Sequence, residues 1–474
     1  MENYPFYIGG EWRSGIEYDL KNPYDCQTIA KISRATKKDI IDAIDLAEKS
    51  KSIVSNYSVF DRQQILEKII KGLKENSERI AYLIALEAGK NIKHAKAEVS
   101  RAITTFSVAR DEVSRINGEV IPLDIVNANA GRYGIVKRFP VGVVLGITPF
   151  NFPLNLVAHK VAPAIAAGCP IIIKPATQTP MASLELAKII ESSGWEQGAF
   201  SVVTAKASDM EIAIKYDKVK KISFTGSPEV GFEIKKIAYD KKVTLELGGN
   251  AAAVVCEDVD IDDVVSKSVS GGFAYQGQVC IHLQRLYIHE NIFDIVTKKL
   301  VKKVNDLKCG SQLNENTDIG PMINEDEAIR VKSWVDEAVK NGSRVLSGGN
   351  RMASIMEPTI ISNCNHDEKV NSSEVFGPVL VLHKFSDFKE AITLVNNSKF
   401  GLQAGIFTND IKKINYAFNN LEVGGVVVND VPTFRSDNQP YGGVKQSGVG
   451  REGVKYAIEE MTELKILSLN PGVL

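Results

Sequence analysis

A chain of 474 residues with 44% hydrophobic and 24% charged side chains can bury at least two cores, which excludes wholesale disorder and small disulfide-held scaffolds. Lys plus Arg number 57 against 58 Asp plus Glu, a net charge of −1, and the basic residues are dispersed, so no nucleic-acid-binding face is announced. Six cysteines (Cys26, Cys169, Cys256, Cys280, Cys309 and Cys364) stand without CxxC or CxxxC spacing, which argues against a zinc site or a disulfide framework and fits a reducing compartment.

The opening Met1-Glu2-Asn3-Tyr4-Pro5 lacks a charged stretch leading into an apolar one, and no apolar run reaches the roughly 18 residues needed to span a bilayer. A cytoplasmic address without membrane contact is expected. From 36 to 115, apolar residues recur at helical spacing, as in Ile65, Ile69, Ile70 and Leu73, and predict a helical lead-in. Segment 118–139 turns strand-like around Val120-Ile121-Pro122-Leu123 and Arg132-Tyr133-Gly134-Ile135-Val136, the composition of a projecting hairpin.

Between 141 and 246, short β-branched runs alternate with helical stretches, which predicts βαβ units on a parallel sheet with strands at 141–147, 171–174, 201–203, 221–224 and 243–245. A second alternating series, with strands at 251–255, 283–289, 379–385, 404–407 and 426–429 and a helix reaching about Gln276, predicts a second α/β domain. Paired glycines punctuate both series.

Two segments read as nucleotide-binding. The strand ending at Phe224 runs through Thr225-Gly226-Ser227 into a helix with Pro228 in its first turn, a geometry that aims backbone N–H groups and the positive helix end at a phosphate. Lys174 closes a buried strand at its carboxyl end, beside the Thr148-Pro149 end of a neighbouring strand, where open α/β sheets hold ligands. The GxGxxG match at 448–453 is rejected, because no apolar strand leads into it.

Three residues carry chemical potential, although alone each reads as structural: Cys280 as an inert thiol, Glu246 as half of a buried ion pair, Asn151 as a helix N-cap. Their surroundings change that reading. In order, the chain carries PFNFP at 149–153, FTGS at 224–227, LELGG at 245–249, GQVC at 277–280 and ExFGP at 374–378. With these five motifs it resembles the aldehyde dehydrogenase superfamily, from Asn22-Pro23-Tyr24 to the PYGGVKQSG stretch at 440–448, which absorbs the rejected glycine run.

The resemblance implies an α/β fold with a Rossmann-like parallel-sheet cofactor domain (1–117 and 141–248), an α/β catalytic domain (249–445), and a small β arm (118–140 and 456–474) that builds homodimers or homotetramers. It implies Cys280 as the nucleophile that forms a thioester. At an unperturbed pKa near 8.5 only about 3% of a thiol is ionised at pH 7, so activation is needed. Asn151 and the Cys280 backbone N–H would hold the oxyanion, and Glu246 would deprotonate the hydrolytic water, which favours hydrolysis over transfer to coenzyme A. With all three residues intact, a catalytically silent binding relative is disfavoured.

Lys174 and Glu374 would bond the cofactor's riboses, the turn from Gly226 and Ser227 to Gly231 would approach its diphosphate, and Phe376 would pack by the nicotinamide. Thr148, Pro149 and Leu247 complete that set, and no metal is expected. Three residues after Lys174, where a glutamate often grips the adenosine ribose, stands Thr177, which does not repel a 2′-phosphate. NADP is therefore expected ahead of NAD.

Helical spacing puts Asn151, Asn155 and His159 on one stripe, a polar lining that suits a small hydroxylated or anionic aldehyde. His159, His282, Arg101 and Arg435 are the groups expected to meet its polar end. Within the superfamily the chain looks similar to lactaldehyde- and glyceraldehyde-type dehydrogenases. Enzymes for succinate semialdehyde, for glyceraldehyde 3-phosphate without phosphorylation, and for phosphono- or sulfo-aldehydes are the alternatives. His282 stands where some semialdehyde enzymes carry a second cysteine.

Overall fold

In the computed structural model, which describes residues 2–470, two large β-sheets dominate, each covered by helices on both faces. The first has eight strands in the order Gly448–Val449, Lys242–Glu246, Val219–Thr225, Val143–Ile147, Ile171–Lys174, Phe200–Val202, Phe6–Ile8 and Glu11–Arg13. Its five central strands are parallel, and only its edges are antiparallel. Side-chain alternation sorts the faces. Val144, Ile171 and Ile173 pack on the helices Val59–Glu75, Asn155–Ala167 and Met181–Glu191, whereas Val143, Leu145 and Ile172 pack on Lys37–Ser55.

Strand order reverses between Val143–Ile147 and Val219–Thr225: the next strands in sequence lie to one side of the former, while Lys242–Glu246 lies beyond the latter. This is a topological switch point, where loops from adjacent strand ends part and leave a crevice. The segments that follow those strands begin Thr148-Pro149-Phe150-Asn151 and Gly226-Ser227.

The second sheet has seven strands, ordered Arg344–Ser347, Thr359–Ser362, Val379–Phe385, Leu283–His289, Ala251–Val255, Gln403–Phe407 and Gly425–Val428. All its pairs are parallel except the edge pair Arg344–Ser347 with Thr359–Ser362. The strands expected in both series form, with ends displaced by up to two residues. The five strands before residue 35, the edge strand Arg344–Ser347 and its neighbour Thr359–Ser362 are not among the predicted strands. The helical lead-in resolves into Lys37–Ser55, Val59–Glu75, Ser77–Ala88 and Ile92–Glu112; the first two start on capping boxes at Thr36 and Ser58.

The hairpin of Glu119–Pro122 and Tyr133–Pro140 acquires a third strand, Thr462–Leu469, in antiparallel register from Thr462 opposite Pro140 to Leu469 opposite Tyr133. Residues 471–474 of the expected arm, and Met1, lie outside the described residues. Gly448–Val449 is an antiparallel edge strand on Lys242–Glu246, so the rejected GxGxxG run does not follow a parallel strand as a dinucleotide fingerprint would. Among the described residues no helix is long and apolar enough to cross a membrane, and no three His, Cys, Asp or Glu side chains gather as a metal site requires.

Candidate active site

At the switch point a cavity of about 360 Å³ opens between the two sheets. It brings together Cys280, Glu246 and Asn151 with Pro149, Gly226, Ser227, Leu247, Glu374 and Phe376 on one side and Arg101, Asn155 and Arg435 on the other.

The paired glycines of LELGG explain how the two sheets meet here. A Cβ on Gly249 would collide with the Cys280 carbonyl oxygen, and one on Gly248 with the Glu374 carboxylate. Gly249 N–H donates to Glu374 Oε1 at 2.9 Å, while the Glu246 carbonyl accepts from Gly226 N–H at 3.1 Å. One motif thus ties together the thiol loop, the acidic residue of ExFGP and the FTGS turn. The thiol loop itself follows three consecutive residues in the left-handed region, Tyr275, Gln276 and Gly277, two of which are not glycine.

Cys280 is half-buried, and its Sγ lies 3.1 Å from the Tyr441 hydroxyl. Burial pushes the thiol up to about 11, with the Tyr441 hydrogen bond offsetting part of the rise. Glu246 is 3% exposed, and neither carboxylate oxygen has a hydrogen-bond partner. Burial, with the charge of Glu452 adding to it, lifts this carboxyl well above the usual range. Asn151 Nδ2 donates to the Gln278 carbonyl at 2.9 Å.

Asn151 is not the helix N-cap its position suggested: the helix begins at Asn155 with Leu154 at the cap position. The expected stripe is corrected accordingly, because only Asn155 and His159 lie on that helix and Asn151 sits in the turn before it. Asn155 lines the cavity and accepts a hydrogen bond from Thr105 Oγ1 at 3.2 Å. His159 does not line the cavity. It is buried, with Nε2 3.0 Å from Asp437 Oδ1, and burial together with Arg435 lowers its basicity. His282 is a second correction: its Nε2 lies 2.8 Å from the Gly272 carbonyl, it is buried, and burial drops it to about 4, so it serves the backbone rather than the cavity.

On the nucleotide side, Ser227 caps the helix Pro228–Ile237, accepting from Val230 N–H. Lys174 is the last residue of its strand, opposite Ile147, and burial brings its ammonium down to about 8. The neighbouring Thr148 hydroxyl is buried without a partner. Glu374 is raised to about 7 by burial, against the Gly249 N–H. Thr177 is half-buried, its carbonyl taken by the Tyr18 hydroxyl at 2.9 Å. Gly231 is better explained by packing than by the diphosphate turn: it is buried within the helix, where a Cβ would collide with the Leu247 side chain.

A charge network behind Glu246 had no motif to announce it. Glu452 Oε2 accepts from Arg435 Nη2 at 3.0 Å, and Lys160 Nζ lies 3.2 Å from Glu452 Oε1 and 2.8 Å from Thr225 Oγ1. Burial alone would raise the Glu452 carboxyl, but Lys160, His159 and Arg435 pull it down to about 2. The Arg435 guanidinium lies 3.7 Å over the Tyr441 ring. Asp437 takes Arg101 Nη2 and His159 on the same oxygen, each at 3.0 Å. A signal for Lys160 did exist: apart from its neighbour His159, it is the one polar residue in a fully buried helical run from Leu156 to Ala167, and a lysine there demands a partner.

The chain belongs to the aldehyde dehydrogenase family, whose model matches residues 12–467. Among its relatives, the 3-sulfolactaldehyde dehydrogenase of Priestia megaterium is 42% identical over 472 residues, covering 99% of this chain and 98% of that one. The crystal structure of aldehyde dehydrogenase 21 from Physcomitrella patens, in complex with the reaction product succinate, superposes with a TM-score of 0.98 at 45% identity, covering 100% and 99% of the two chains. The glyceraldehyde-3-phosphate dehydrogenase GapN of Methanocaldococcus jannaschii, complexed with NADP, gives 0.92 at 41% identity, covering 97% and 99%.

Proposed function

We propose that the chain oxidises a small aldehyde bearing an anionic or hydroxylated end to its carboxylic acid, using NADP in preference to NAD and passing through a thioester on Cys280. The observation that carries this reading is the placement of Cys280, Asn151 and a Glu246 with two unpartnered oxygens in one cavity at the switch point.

Sulfur attacks the aldehyde carbon as its proton passes to the Glu246 carboxylate. The thiol is protonated at neutral pH, so this transfer is the activation that Cys280 needs. Asn151 uses one amide hydrogen on the Gln278 carbonyl and keeps the other for the developing oxyanion, beside the Cys280 N–H. The residues on the nucleotide side fit a dinucleotide: a capped helix start, a strand-end lysine, a buried unpartnered Thr148 hydroxyl, and Glu374 and Phe376 on the wall. When bound, the oxidised nicotinamide supplies the hydride acceptor. Once Glu246 has passed the Cys280 proton to solvent it is again a carboxylate; it takes a proton from the water that attacks the thioester and returns it to the Cys280 sulfur as the carbon–sulfur bond breaks and the acid leaves.

The substrate's charged end is read from two arginines. Arg435 Nε is buried without a partner, and Arg101 is bound to Asp437 through Nη2, so both can offer donors to an anion. The three relatives described above are named for, or hold, molecules with a sulfonate, carboxylate or phosphate end, which agrees with this reading. Thr177 carries no charge that would repel a 2′-phosphate. We further infer the division into a cofactor part (1–117 and 141–248), a catalytic part (249–445) and an arm whose exposed Val120, Leu464 and Leu467 would be covered in a cytoplasmic homodimer or homotetramer.

Initial rates with lactaldehyde, succinate semialdehyde, glyceraldehyde 3-phosphate and 3-sulfolactaldehyde, each with both cofactors, test the proposal. An anionic aldehyde with NADP should give the highest kcat/KM. A long apolar aldehyde turned over best, or NAD preferred by tenfold, would overturn the substrate or the cofactor assignment, and an active Cys280→Ala variant would overturn the thioester.

A further inference from the structure

Away from the substrate and cofactor groups, the described residues contain a second buried ion pair. Lys90 and Glu98 are 1% and 2% exposed, and the Lys90 ammonium bonds Glu98 Oε2. The other oxygen, Glu98 Oε1, accepts the backbone N–H groups of Leu154 and Asn155 at 3.0 and 3.1 Å. These are donors that the helix Asn155–Ala167 leaves free at its start, where no side chain of its own caps it. A carboxylate there also meets the positive end of the helix dipole. Glu98, from the helix Ile92–Glu112, therefore fixes the turn in which Asn151 sits.

Lys90 reaches the other loop. Its ammonium lies 3.7 Å over the Phe152 ring and 4.4 Å over the Tyr275 ring, and these rings meet edge to face at 6.2 Å. Phe152 is the residue after Asn151. Tyr275 opens the left-handed run that leads to Cys280 and is held at its far end by a 2.7 Å bond from its hydroxyl to the Ala88 carbonyl. Besides the Phe152–Tyr275 ring contact, the two loops share the side-chain bond from Asn151 Nδ2 to the Gln278 carbonyl. The ammonium thus touches two aromatic faces and a carboxylate that belong to three different segments.

We propose that Lys90 and Glu98 act as a positioning pair that holds the oxyanion donor Asn151 in register with the Cys280 sulfur. This rests on the roles assigned above to Asn151 and Cys280. Neither Lys90 nor Glu98 lines the cavity, so both act through the loops they join.

The test uses the full-length enzyme with the best substrate from the panel above. Lys90→Met should lower kcat roughly 10²-fold, the effect of displacing a reacting group by about an ångström, while substrate KM and cofactor Kd stay within a few-fold. The rate of Cys280 alkylation by iodoacetamide should remain near that of the wild type, because the thiol persists and only its alignment with the oxyanion donor is lost. Glu98→Gln keeps the shape and an acceptor for Leu154 and Asn155 but removes the ion pair. It should show the same split with a smaller fall, and the double variant should be no worse than Lys90→Met alone. A folded Lys90→Met enzyme with wild-type kcat, or a loss shared equally by kcat, KM and alkylation, would overturn the proposal. If Lys90→Met does not fold, Glu98→Gln decides by the same criteria. Cys280→Ala run in parallel separates the two readings: residual turnover there removes the thioester mechanism, whereas an inactive Cys280→Ala beside a fully active Lys90→Met removes only the pair.

Discussion

The strand end at Leu245–Gly249 places a buried carboxylate on the wall of the site and the closing segment from Arg435 to Glu452 places one behind it, and the two are held in opposite states. Glu246 has no partner on either oxygen and is lifted by burial; Glu452 is surrounded by Lys160, His159 and Arg435 and is held near 2. The difference shows that burial alone does not set protonation here. Arg435 and Lys160 act on both carboxyls through their charge but of the two bond only Glu452, and that direct bonding separates a carboxyl able to take up a proton from one held as the anion.

Disabling the carboxyl that takes up a proton should have the largest effect. Glu246→Gln should lower kcat roughly 10³-fold, the usual scale for losing a general base. A single-turnover experiment should localise the loss to proton removal and thioester hydrolysis. Full steady-state activity in this variant would move the base elsewhere.

Removing one of the cations that faces the substrate should come next. Arg101→Ala should raise KM for an anionic aldehyde by roughly 10- to 100-fold, the weight of a charge-assisted hydrogen bond, and leave a neutral aldehyde nearly unaffected. An equal effect on both substrates would show that Arg101 serves only Asp437.

A subtler variant tests the coupling between the two carboxylates. Glu246 must be ionised to accept a proton, so kcat rises with pH through its pKa, and the charge of Glu452 helps to hold that pKa up. In Glu452→Gln the charge is gone, and Arg435 and Lys160, left without their partner, pull in the same direction. The acid limb of the kcat profile should therefore move to lower pH; a shift to higher pH would contradict the electrostatics described above. Smallest of all, Tyr441→Phe should slow Cys280 alkylation at fixed pH only a few-fold, the scale of a single hydrogen bond, because the hydroxyl helps to lower the thiol's pKa.

The same two segments show what could be read from sequence. Cys280, Glu246, Asn151 and Glu374 fall within short motifs, and Glu246 and Asn151 lie at or just beyond the ends of strands whose apolar alternation is plain, so chemistry and placement could be inferred together. Glu452, Lys160, Tyr441 and Asp437 reach the site through pairings across great sequence distance. Lys160 meets Glu452 from 292 residues away, and Cys280 meets Tyr441 from 161. No local pattern encodes such a contact. His159 and His282 erred in the other direction: residue type suggested a ligand group, but the fold had already assigned their ring nitrogens to Asp437 and to a backbone carbonyl.

The edge strand Gly448–Val449 completes the first sheet beside Glu246, and the residues around it bring Arg435, Tyr441 and Glu452 to a thiol encoded far earlier. A nascent chain on the ribosome therefore carries its cysteine long before the groups that surround it can dock. Until the last part of the message is translated, that cysteine lacks the Tyr441 hydroxyl that lies beside it in the finished fold.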